Sequence, residues 1–228
     1  MEWKGVMPAI TTCFDENLQI DHEFTAKHVK WLVENGCTGI VANGSLGEGA
    51  TMTTEEKVAL WKTCVEAVGD KVPIVAAIAS LSTADAVAQA KAAETAGCQG
   101  LMVLPPYVYR GDWREMKYHI SEILKATPLT CMLYNNPVAY GTDFTPEQIA
   151  ELAEELALTD PLRTAPTVVV FSETSPAPEA TRPLWTVPLL SIFTVPPKPE
   201  ATRPPVTSPL LVTVAVFLVP FASEPLRI

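Results

Sequence analysis

Between residues 1 and about 157 the hydrophobic and polar positions alternate in blocks: a short apolar run, a Gly- or Pro-bearing turn, then a longer segment with apolar residues at helical spacing. The runs "GVMPAIT" (5 to 11), "TGIVANG" (38 to 44), "VPIVAAIA" (72 to 79), "GLMVLPP" (100 to 106) and "LTCMLYNN" (129 to 136) are almost continuously apolar. Strands covered on both faces have that pattern, and strands alternating with helices predict a parallel sheet built from βα units. The intervening segments carry start signals of the capping-box type: Thr53 with Glu56, Ser82 with Asp85, and Thr145 with Gln148, the last with Pro146 at the first helical position. In the helix after Thr53, the residues Val58, Trp61, Val65 and Val68 form one apolar stripe, and Gly69 is placed to end it in a left-handed conformation.

The rhythm stops after about Leu158. Residues 161 to 228 hold 14 of the 21 prolines and none of the 11 glycines. Proline removes backbone donors from helix interiors and central strands alike, so this part is expected not to continue the same architecture. It also repeats itself, "PEATRPLWTVPLL" (178 to 190) returning as "PEATRPPVTSPLL" (199 to 211). Two copies do not make a solenoid. The apolar run 210 to 222 is shorter than a bilayer crossing requires and contains Pro220, so no membrane association is expected. The division is therefore 1 to 157, a run of βα units, and 158 to 228, a Pro- and Thr-rich stretch.

Charge narrows the partners. The balance of 26 acidic against 16 Lys and Arg residues, with no basic cluster among aromatics, argues against nucleic acid. Cys13, Cys37, Cys64, Cys98 and Cys131 are odd in number and widely spaced, as suits reduced thiols in small core positions rather than disulfides or a metal centre. The opening "MEWKGVMPAITT" has no basic region followed by a long apolar run, so a cytoplasmic location is expected.

Candidate chemistry lies at two strand ends. After the second apolar run comes "NGSLGEGATMTTEEK" (43 to 57), in which glycines at 44, 47 and 49 let backbone N–H groups approach a carboxylate or phosphate. Such a turn is often only a turn, and it matches neither dinucleotide nor P-loop motifs. The fifth run ends in Tyr134, and in a parallel barrel both ends open onto the C-terminal face, where reactions take place.

With "GVMPAITTCFD", "GSLGEGATMTTEEK", "VLPPYVYRGDW" and "YNNPVAYGTDFTPEQIAELAE" in this order, residues 3 to about 155 resemble the dihydrodipicolinate synthase and N-acetylneuraminate lyase family. The resemblance implies a (β/α)8 TIM barrel and a lyase of the Schiff-base aldolase type, acting on pyruvate or a related 2-oxo acid without a cofactor, in a homo-oligomer. It further implies that Gly44, Ser45 and Leu46 bind the substrate carboxylate, that Ser45 joins a proton relay, that Tyr134 is the general acid/base and that Tyr107 completes the relay across a subunit interface. Read without the resemblance, Tyr107 and Tyr109 are also ordinary amphipathic residues at a strand end.

Two positions depart from the family's pattern. Its Schiff-base lysine belongs to a sixth-strand stretch resembling "VAIKES"; the nearest counterpart here, "PTVVVFSETS" (166 to 175), puts Ser172 in that place, and after Lys125 the sole lysine is Lys198. A hydroxyl forms no imine. Ala139 stands where synthases have an arginine for the distal carboxylate. A second reading is accordingly a non-catalytic chain, its reading frame changed near residue 157, which at most binds small carboxylates.

Overall fold

The structure, a computed structural model, describes residues 1–159 and 169–172. In chain order they form α1 (His22–Glu34), β1 (Ile40–Ala42), α2 (Thr54–Val68), β2 (Ile74–Ile78), α3 (Thr83–Thr95), β3 (Gly100–Val103), α4 (Trp113–Ala126), β4 (Thr130–Asn135), α5 (Pro137–Tyr140), α6 (Pro146–Thr159) and β5 (Val169–Ser172). The expectations for the proline-rich stretch, its repeat, its apolar run and Lys198, β5 apart, lie outside the described residues.

All five strands pair parallel, in sequence order, with Ile40 beside Ile74, Val75 beside Gly100, Gly100 beside Thr130, and Tyr134 beside Phe171. The expected first strand, 5 to 11, is reduced to a single parallel bridge between Ala9 and Val41. Val41 N–H donates to the Pro8 carbonyl at 2.9 Å, and Ile10 N–H to the Val41 carbonyl at 3.0 Å. Pro8 has no N–H to extend the ladder, and Gly5, with φ of 81°, turns the chain before it.

Side chains alternate between two layers, as a strand's period of two requires. Ile40, Ala42, Ile74, Ala76, Ile78, Leu101, Val103, Cys131 and Leu133 pack outward under the helices. Val41, Val75, Ala77, Met102, Leu104 and Met132 form an inner cluster with Trp3 and Met7. Trp3 closes the N-terminal end of that interior, its indole N–H donating to Thr130 Oγ1 at 2.8 Å and its ring lying against Gly100. Polar chemistry is left to the opposite end.

The helices obey their start signals with two corrections. Thr53 and Glu56 make a full capping box, as do Asp112 and Glu115 on α4, and Thr145 and Gln148 exchange both bonds. Ser82 accepts from Asp85 N–H, but the Asp85 carboxylate is taken by Ser80 Oγ (2.6 Å) and Gln89 Nε2 (2.8 Å), so that box is only half formed. Gly69 is right-handed, with φ of −64°, and not left-handed. The helical path continues one more turn, Lys71 and Val72 N–H both donating to the Val68 carbonyl, so no reversal is needed there. On α2 the fully covered face is Leu60, Trp61, Cys64 and Val68, with Val58 and Val65 on its margin.

Candidate active site

The turn after β1 is held from below by Asn43, which is buried and left-handed with φ of 51°. Its amide donates to the Ala77 carbonyl at 3.0 Å and accepts from the Trp61 indole N–H, locking the strand end to both β2 and α2. Asparagine tolerates this conformation better than most residues. Gly47 and Gly49 N–H both return to the Gly44 carbonyl, at 3.0 and 3.2 Å, and Thr12 Oγ1 donates to the Gly47 carbonyl at 2.6 Å. A Cβ at Gly49 would run into the Asn43 carbonyl, so glycine is required by space. Among the described residues no backbone carbonyl accepts from the N–H groups of Ser45 or Leu46. Both residues are exposed at the crest, whereas Gly44 is buried with Met102 below it. Two adjacent N–H donors and a hydroxyl suit one carboxylate.

On β4, Tyr134 points into the inner layer and packs against its methionine-rich cluster. Asn136 Nδ2 donates to its hydroxyl at 3.2 Å, while Asn136 Oδ1 accepts from Ala139 N–H at 3.0 Å and caps α5. Asn135 serves the other face, holding Phe144 N–H at 3.1 Å and Asp143 Oδ1 at 2.9 Å. Pro137 starts α5 and left-handed Gly141 ends it, so this single turn swings the Tyr140 ring back over the interior.

Tyr140 is the residue that sequence reasoning missed. Its hydroxyl is hydrogen-bonded to Ser45 Oγ. Its ring meets Tyr134 edge-on, with centroids 6.0 Å apart, and lies 6.2 Å from Tyr107. Ser45, Tyr107 and Tyr134, singled out from separate motifs, thus surround one aromatic ring at one end of the sheet. The available signal was the pair Pro137 and Gly141, which frames a one-turn helix and forces its last residue inward.

In β5, Phe171 is the neighbour of Tyr134 and Ser172 that of Asn135. Buried Lys57 lies between α2 and α3, on the outer side of the sheet, where Nζ donates to Gln89 Oε1 at 3.3 Å and burial pushes its pKa down. Among the described residues no three His, Cys, Asp or Glu side chains gather as a metal site, and no helix is long and apolar enough to cross a membrane.

Known proteins are similar to this chain in sequence and in fold. The model of the Dihydrodipicolinate synthetase family matches residues 2–159. The "Probable 5-dehydro-4-deoxyglucarate dehydratase" of Pseudarthrobacter chlorophenolicus is 38% identical over 148 residues, covering 65% of this chain and 48% of that protein. A 4-hydroxy-tetrahydrodipicolinate synthase of Heliobacterium modesticaldum is 34% identical over 152 residues, 67% of this chain and 51% of the relative. The chain therefore spans about half the length of these relatives. Among solved structures, a dihydrodipicolinate synthase of Bacillus anthracis superposes with a TM-score of 0.67 at 31% identity, over 75% of this chain and 64% of that one. From the glycine-rich turn, the tyrosine that ends β4 and these matches together, the chain belongs to the Dihydrodipicolinate synthetase family, a family of (β/α)8-barrel lyases.

Proposed function

We propose that this chain carries the 2-oxo-acid site of a Schiff-base-type lyase, taking pyruvate or a related acid at the C-terminal end of its sheet. The observation that carries the reading is the convergence of Ser45, Tyr134 and Tyr107 on Tyr140. The substrate carboxylate sits on the Ser45 hydroxyl and the N–H groups of Ser45 and Leu46, with Gly44 keeping the backbone clear. That grip turns the keto group toward Tyr134, whose hydroxyl gives and takes the proton as general acid/base. Ser45 passes the proton to the Tyr140 hydroxyl bonded to it, and Tyr107, beside the Tyr140 ring, completes the relay across a subunit interface. The compounds in the two relatives' names, a deoxyglucarate and a tetrahydrodipicolinate, are dicarboxylates, which brings larger 2-oxo acids into the class. Assembly into a homo-oligomer and a cytoplasmic location belong to the same reading.

A second reading is favoured by one observation: β5 sets Ser172, not an amine, beside β4. On it the chain binds the 2-oxo acid without covalent capture. Titration calorimetry with pyruvate, followed by borohydride reduction and intact mass measurement, tests both. Absence of pyruvate binding, or binding unaffected by Ser45→Ala, overturns the site. Binding with a reduced pyruvyl adduct supports the lyase; binding without one selects the second reading.

A further inference from the structure

Arg110 belongs to the loop between β3 and α4 and is exposed, yet its guanidinium is not adrift in solvent. It lies flat over Gly141, so close that a Cβ there would collide with it, and Gly141 directly follows Tyr140. The guanidinium is therefore separated from Ser45 by about the span of one tyrosine side chain, since the Tyr140 hydroxyl is on Ser45. The carboxylates around it are engaged elsewhere. Asp112 accepts from Glu115 N–H at 2.9 Å and faces Arg114 at 3.8 Å, and Asp143 accepts from Asn135 at 2.9 Å. Among the described residues Arg110 makes no ion pair and no hydrogen bond, whereas Lys4, Lys27, Arg114, Lys117 and Lys125 each face a carboxylate. Glycine at 141, already required by its φ of 68°, also leaves the planar group room to rest at the mouth.

We propose that Arg110 is the specificity-determining residue of the site, binding the second carboxylate of a dicarboxylic 2-oxo acid whose first carboxylate is held at Ser45. The inference rests on the reading of Ser45 given above. A guanidinium offers two parallel N–H donors to a carboxylate, an arrangement a lysine cannot reproduce, and it is held here on one side by the Gly141 backbone. Pyruvate is too short to span from Ser45 to Arg110, but a chain longer by a carboxymethyl arm, as in 2-oxoglutarate, extends along the Tyr140 ring toward it.

The test is calorimetric titration of the full chain with pyruvate and with 2-oxoglutarate, in the wild type, Arg110→Gln and Arg110→Lys. The wild type is expected to prefer 2-oxoglutarate, Arg110→Gln to lose about tenfold of that preference, and Arg110→Lys to lose less, because it keeps the charge but not the fork. A wild type that binds both acids equally, or a preference unchanged in Arg110→Gln, overturns this inference while leaving the pyruvate site standing. If the wild type binds neither acid, the site at Ser45 fails and this inference fails with it.

Discussion

The hydroxyls of Ser45 and Tyr140 share a hydrogen bond across 95 positions of sequence. It joins the turn after β1 to the helical turn after β4, and so defines the width of the open end. Replacing Tyr140 by Phe keeps the ring contacts with Tyr134 and Tyr107 and deletes only this bond. The net worth of one such bond is about 1 kcal/mol, so pyruvate affinity is expected to fall roughly fivefold in Tyr140→Phe. The thermal midpoint should stay near the wild-type value, because the lost pair is exposed at the Ser45 side. Calorimetry and a thermal melt on the same sample check both halves; unchanged affinity would remove Tyr140 from the site.

Asn43 places the same turn from inside. Truncation to Ala strands the Trp61 indole N–H and the Ala77 carbonyl, both buried, and puts alanine at a positive φ. Each orphaned buried group costs about 1–3 kcal/mol, so Asn43→Ala is expected to destabilise the chain by about 3 kcal/mol in urea denaturation. Its loss of pyruvate binding should exceed what the fraction unfolded explains. A stable variant with intact binding would show the turn to be self-supporting.

The order and direction of β1 to β4 were legible because each is apolar on both faces, a pattern that only a sheet covered on two sides tolerates, whereas β5 lies in the stretch expected not to continue the architecture. Ser45 and Tyr134 were legible because each stands at the end of such a run. Tyr140 was not: its place comes from contacts with Ser45, Tyr107 and Tyr134, which no local pattern encodes. The half-formed box at Ser82 failed for a related reason, since Ser80 and Gln89 compete for the Asp85 carboxylate from positions outside the motif. Gly69 shows a different limit. Glycine permits a left-handed end without demanding it, and the turn to Val72 decides the conformation. At the first run, one proline outweighed the apolar pattern.

The thiols report on the outer layer. None of the five cysteines is in a disulfide, and burial pushes Cys64 and Cys98 up to about 12, the neighbouring Cys64 adding to the shift at Cys98. At pH 8 roughly one such thiol in ten thousand is ionised, and neither is reachable. Ellman's reagent at that pH is expected to label only Cys13 and Cys37 in the native chain, with Cys64, Cys98 and Cys131 appearing on denaturation. Rapid native labelling at Cys64 would mean that α2 does not stay packed on the sheet.

The last expectation is an acid sensitivity centred on His119. It is buried on α4, with Nδ1 3.0 Å from Thr83 Oγ1 at the start of α3 and no partner for Nε2. A neutral ring that donates from Nδ1 leaves only a lone pair buried, whereas a protonated ring would bury an unpaired N–H with its charge. Burial accordingly lowers its pKa from the ordinary 6.5. In the unfolded chain the ring takes up its proton first as the pH falls. The histidine's contribution to stability is therefore complete above 6.5 and is lost as the pH drops from there through the lowered native pKa. The slope from this one group is at most about 1.4 kcal/mol per pH unit. Urea denaturation at steps between pH 7 and 5 should show stability falling in the wild type and a flatter profile in His119→Leu. Burial of His28 acts in the same direction, so some slope is expected to remain. A His119→Leu profile parallel to the wild type would show that this ring is protonated as readily in the folded chain as in the unfolded one.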